Sequence, residues 1–131
     1  MNSETLGMIS EAMEAMELNY NFMEYKVKAG EEPPQTYFVG EYQELDPDKE
    51  SGEEESLFIL TGFTREGWIR LENAKEKIKK YFPPSSGKVA AVGMNLTAAV
   101  FYTNSFMVPT GDAELKKIQI NLTVKEWKVT E

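Results

Sequence analysis

The chain contains no cysteine and no histidine. It therefore offers no disulfide framework, no thiolate or imidazole zinc set, no cysteine nucleophile and no histidine-based triad. No stretch approaches the roughly 18 uninterrupted apolar residues that span a bilayer, and the opening MNSETLG is acidic rather than basic followed by apolar. A soluble intracellular protein without a membrane partner is expected. Basic charge is scarce: 14 Lys and Arg stand against 22 Asp and Glu, giving a net charge of −8. Most of such a surface repels a phosphate backbone, so specific nucleic-acid binding is not the expected role.

What remains is enough for one fold. The 131 residues, 41% hydrophobic and 11% aromatic, suit a single domain with a real core, since domains usually run to roughly 100–200 residues. The charge is uneven along the chain, at −6 for residues 1–43, −6 for residues 44–55 and +4 for residues 65–88.

Leu6, Ile9, Met13 and Met16 recur at helical spacing and predict a first helix from Ser3 to about Leu18, with Ser3 as its N-cap. From Tyr20 to Lys28 the period becomes two, which predicts a strand; Pro33 and Pro34 break it, and TYFVGEYQE predicts a second strand over 36–44. Residues 44–55, ELDPDKESGEEE, hold seven mutually repelling carboxylates and predict a mobile acidic loop at the tip of a hairpin. Ser56 to Thr64 is apolar on both pleats, as expected of a central strand covered on both faces, or covered on one and meeting a partner on the other. A second helix is expected from Glu66 to Tyr81, capped by Thr64 and inward-facing at Trp68, Leu71, Ala74, Ile78 and Tyr81. Pro83 and Pro84 end it. KVAAVGMNL and AAVFYTNSFMV read as strand segments, and the last strand alternates Ile118, Ile120, Leu122 and Val124 with polar residues, leaving Trp127 on the polar face. The expected fold is α+β: a mainly antiparallel sheet in the order α-β-β-β-α-β-β, with two helices packed on one face.

No constellation in the sequence meets the demands of catalysis or metal binding. Asp46, Asp48 and Glu50 alternate, but Pro47 intrudes and Gly52 is out of place for an EF-hand loop. Ser86-Gly87-Lys88 lacks the upstream glycine of a phosphate-binding loop. Glu66 and Asp112 border apolar segments, yet each is explained as a helix-start acid or a turn residue. No catalytic residue, cofactor or metal is expected. Lysines 75, 77, 79, 80 and 88 gather on or just beyond the second helix, with Glu76 spaced to pair with Lys80. One reading is a solvated helical face; the other is a patch that meets the acidic hairpin of a second copy.

The element order, with TYFVGEY, ESLFILTGFTREGW, KIKKYFPP and GDAELKKIQINLTVKEW, resembles the tail-terminator and tail-to-head joining proteins of long-tailed bacteriophages. The resemblance implies a small α+β subunit that forms a hexameric ring at the head-proximal end of the tail. There it would stop tube growth and join the tail to the head. It further implies contacts with itself, with tail-tube and head-connector proteins, and with DNA that slides through an acidic lumen without specific binding. Assembly would take place in host cytoplasm, and the protein would then reside in the virion tail of a phage or prophage. The residues expected at interfaces are Asp46, Asp48, Glu50, Glu53, Glu54, Glu55, Ile69, Lys77, Lys80 and Trp127. The alternative is a small-molecule-binding domain or cofactor-free enzyme whose pocket is lined by Tyr37, Tyr42, Phe58, Phe101 and Tyr102.

Overall fold

The structure, a computed structural model, describes residues 1–45 and 52–128. Its elements are α1 (Ser3–Ala15), β1 (Tyr20–Phe22), β2 (Thr36–Glu44), β3 (Glu53–Thr64), α2 (Trp68–Tyr81), β4 (Lys88–Gly93), β5 (Leu96–Val108) and β6 (Lys116–Lys128). The six strands form one sheet in the order β1-β2-β3-β6-β5-β4. The expected α+β fold is present, with one difference: β1 runs parallel to β2, so the sheet is mixed. A tight hairpin cannot join parallel neighbours, and residues 23–35, including the two prolines, make the return crossing.

The β2 bounds match the sequence pattern, and β6 alternates as expected, with Ile118, Ile120, Leu122 and Val124 buried. These side chains share one face of the sheet with Phe38, Phe58 and Leu60, and against them pack Ile9 and Met13 of α1 and Leu71 and Ile78 of α2. Each such fully buried side chain contributes about 1.5–3 kcal/mol. Both helices lie on this inner face, and α1 touches the two outermost strands, β1 and β4, so the sheet curls around it. Gly62 is needed at the centre of β3, because a Cβ there would collide with the ring of Phe38.

Several expected boundaries shift, each for a local reason. Asn2, not Ser3, is the N-cap of α1; it makes no side-chain cap, and its backbone and side-chain nitrogens instead donate to Glu126. The helix ends at Ala15 rather than Leu18 because Glu17 turns left-handed (φ 59°), with Leu18 N–H donating to Met13 O at 3.0 Å. The strand predicted over 20–28 stops at Phe22: Met23 has φ 69°, and Glu24 N–H closes a turn onto Phe22 O. Strand β3 begins three residues early, at Glu53, so only part of the predicted acidic loop connects strands. Asp46, Asp48 and Glu50 lie outside the described residues.

Helix α2 starts at Trp68 behind Gly67 (φ 97°), not at Glu66. The Thr64 hydroxyl accepts Glu66 N–H at 3.1 Å and bonds to Thr36 Oγ1 at 2.7 Å, staying in the strand instead of capping the helix. Trp68 is exposed rather than inward, with Lys116 Nζ 5.4 Å from its ring. Three strands follow α2, and β5 carries a bulge between Tyr102 and Asn104.

Candidate functional site

Strands have two faces, and here both helices take the same one. The outer face combines half-buried apolar residues of β3, Leu57, Ile59 and Phe63, with polar residues of β6. Register sorts the face into three zones. At one end Tyr37 stacks on Phe63 (centroids 5.1 Å apart), Tyr25 lies 4.9 Å from Tyr37, and Lys117 Nζ sits 5.5 Å from the Phe63 ring.

The middle zone is a ladder of hydroxyls and amides. Thr103 bonds to Thr123 at 2.6 Å, Asn121 Nδ2 donates to Asn104 at 2.7 Å, and Gln119 Nε2 donates to Asn121 at 3.0 Å. At the far end Lys125 lies 3.6 Å from Glu53 and 5.8 Å from the Phe101 ring centre, with Glu55 and Trp127 alongside in the ladder. Such a face suits recognition of a flat surface: aromatic rings supply contact area at either end, and the middle offers many short hydrogen-bonding groups.

The predicted interface residues divide between two sides of the molecule. Glu53, Glu55 and Trp127 are on the outer sheet face, where Lys125 offsets the two acids, and Glu54 is exposed in register with Glu126. Ile69, 66% exposed, is on α2 on the opposite side. Lys77 is tied within the chain, its Nζ donating to Met16 O at 3.2 Å and so meeting the carbonyl end of α1. Lys80 is exposed and makes no ion pair among the described residues. Glu76 approaches Lys75 at 3.7 Å rather than pairing with Lys80.

Lys75 also bonds to Glu72 at 2.7 Å, and this bond is the main cause of its raised pKa. Lys79 and Lys88 lie over the rings of Tyr102 and Tyr81. Intrachain contacts thus occupy much of the lysine-rich helix. The aromatics proposed to line one pocket do not converge: Phe58 is core, Tyr42 and Tyr102 lie on the inner face, and Tyr37 and Phe101 lie on the outer one.

Two features escaped the sequence reading. Phe106 is an exposed outer-face residue beyond the bulge, opposite Gln119. Glu126 is buried, and its Oε2 accepts Asn2 N–H (3.1 Å), Asn2 Nδ2 (2.9 Å) and the Thr5 hydroxyl (2.6 Å), fastening the start of α1 to β6. The signal was there: residue 126 continues the parity of 118, 120, 122 and 124.

Elsewhere, the Asp112 carboxyl is held below its usual range, first by Glu114 N–H and then by Arg65 at 3.6 Å, which braces the turn before β6. Among the described residues no cluster of acids is placed to hold a metal ion, and no helix is long and apolar enough to cross a membrane. No protein-family model and no curated protein matches the chain.

Proposed function

We propose that this protein is a non-enzymatic phage or prophage structural subunit that self-associates, as a ring, at the head-proximal end of a tail, ending tube growth and joining tail to head. The observation that carries the assembly part is the outer sheet face, which neither described helix covers and which presents Tyr37, Leu57, Ile59, Phe63 and Trp127. These half-exposed apolar side chains, interleaved with the hydroxyl and amide ladder, give a mixed surface of the kind that protein interfaces use. Phe106 adds exposed apolar surface at the margin of this face, and Ile69 adds more on the opposite side of the molecule. The resemblance in element order and sequence texture supports the tail assignment, and the acidic composition favours passage of DNA without adhesion.

The test is gel filtration with light scattering, at high protein concentration and low salt, with and without tail-tube and head-connector proteins from the same genome. Formation of a ring, alone or on those partners, is the expected result. A protein that stays monomeric in every mixture overturns the proposal.

A further inference from the structure

Beside the outermost strands β1 and β4, the next strands in, β2 and β5, each have a segment with a ladder partner on one side only among the described residues. On β5, pairing with β4 reaches Val100 and Tyr102 N–H donates to Phe82 O at 2.9 Å, so among the described residues the backbone of Thr103–Val108 pairs with β6 alone. On the opposite margin, β1 accompanies β2 only to Gly40, with one further bond from Met23 N–H to Gly40 O at 2.7 Å. Among the described residues Glu41–Glu44 therefore bonds to β3 alone. Free edge amides are a template for another strand unless charge, proline or a cover blunts them. The β5 segment has neither charge nor proline. Large apolar side chains flank both edges: Phe106 (51% exposed) at β5, and Met23 (62%) and Leu45 (44%) at β2.

We infer that these two margins dock on each other between copies of this chain, the free segment of β5 in one against that of β2 in the next. Strand direction fits. The neighbours β2, β3, β6 and β5 alternate, so β5 runs opposite to β2. Copies repeated in one orientation therefore bring the margins together as an antiparallel pair, the more stable kind. Charge fits as well. The free β2 segment carries Glu41 and Glu44, the latter ion-paired with the Met1 amine, whereas the free β5 segment carries no charge that would repel them. A two-fold contact of β2 on β2 would set carboxylates against carboxylates; the head-to-tail contact does not.

The free segments lie toward opposite ends of the sheet, Glu41–Glu44 beside Ile59–Ser56 and Asn104–Val108 beside Asn121–Lys117. Neighbouring copies are therefore offset along the strands, as in any closed sheet with tilted strands. The contact joins two different patches and so propagates into a ring when the rotation closes. It rests on the assembly reading above, to which it adds the surface used.

The absence of native cysteine makes the test clean. Gln43→Cys protein is mixed, before assembly, with Thr103→Cys, Asn104→Cys or Phe106→Cys protein in turn, all four positions being exposed. The mixtures are then oxidised at a concentration where light scattering reports oligomers. The expected result is a mixed disulfide between Gln43→Cys and at least one β5 variant, and none within any variant alone. Oligomers that form without a mixed disulfide, or a disulfide within a β5 variant alone, overturn this docking while leaving self-association standing. A protein that remains monomeric overturns both.

Discussion

Glu126 offers the sharpest test of how the two ends of the chain are joined. It is 2% exposed, and one of its oxygens accepts all three hydrogen bonds from the first turn of α1 and its cap, while the other has no hydrogen-bond partner among the described residues. Glu126→Ala leaves the Thr5 hydroxyl and the Asn2 donors without an acceptor, at about 1–3 kcal/mol for each buried group that finds no water. Removing a buried carboxylate whose other oxygen has no hydrogen bond and meets the Met1 ammonium only at 4.0 Å returns part of this. A net loss of about 2–3 kcal/mol is expected, which lowers the melting temperature of a chain this long by roughly 7–11 °C.

Glu126→Gln keeps an accepting oxygen and should lose only about 1 kcal/mol. The decisive measurement is a double-mutant cycle with Thr5→Val, followed by urea and thermal unfolding. Thr5→Val should cost about 1 kcal/mol in the natural background and close to nothing beside Glu126→Ala. Equal stability of the alanine and glutamine variants, or an unchanged cost of Thr5→Val, would refute the argument.

Other outcomes follow from the same structure. Gly62→Ala should destabilise by about 1–3 kcal/mol, because the added methyl forces the Phe38 ring aside; chemical denaturation reads this directly. Burial pushes the Tyr20 phenol up from 10.0 to about 12, so absorbance titration should find a late-ionising tyrosine that Tyr20→Phe removes. Its folded state holds the proton more tightly, so its contribution to stability is complete below pH 10.0 and declines as pH rises toward 12. Ile69→Lys should change stability by less than about 0.5 kcal/mol, because the side chain is exposed. If α2 takes part in assembly, sedimentation should show that substitution weakening self-association.

Much of the fold was legible where one face of a strand is buried and the other is not. β2 was readable from its aromatic and β-branched content, and β6 from period-two alternation. The same signal misled at residues 23–28, where Met23 and Val27 alternate with charges yet remain exposed, because the chain leaves the sheet at a left-handed residue. Glu17 ended α1 early for a similar reason, since an αL glutamate carries no sequence mark that a glycine would. The parallel placement of β1 depends on a loop crossing that local pattern does not encode.

The candidate surface was legible only in part. Trp127 and Ile69 stood out as apolar residues on polar sides of their elements. The Tyr25–Tyr37–Phe63 cluster did not, because it is assembled by cross-strand register. Glu53 and Glu55 read as loop acids; Lys125, about 70 positions away in the sequence, is what lets them sit in a strand.

The seat of α1 also sets an order of events. The helix is made early and its neighbour β1 follows it directly, but its other strand neighbour, β4, and the carboxylate that holds its first turn, on β6, come from the far part of the chain. Closing so long a loop has little to reward it until the β3–β6 pairing is in place. During synthesis α1 can therefore meet β1 as soon as that strand emerges, whereas its contacts with β4 and Glu126 must wait until the last strands have left the ribosome.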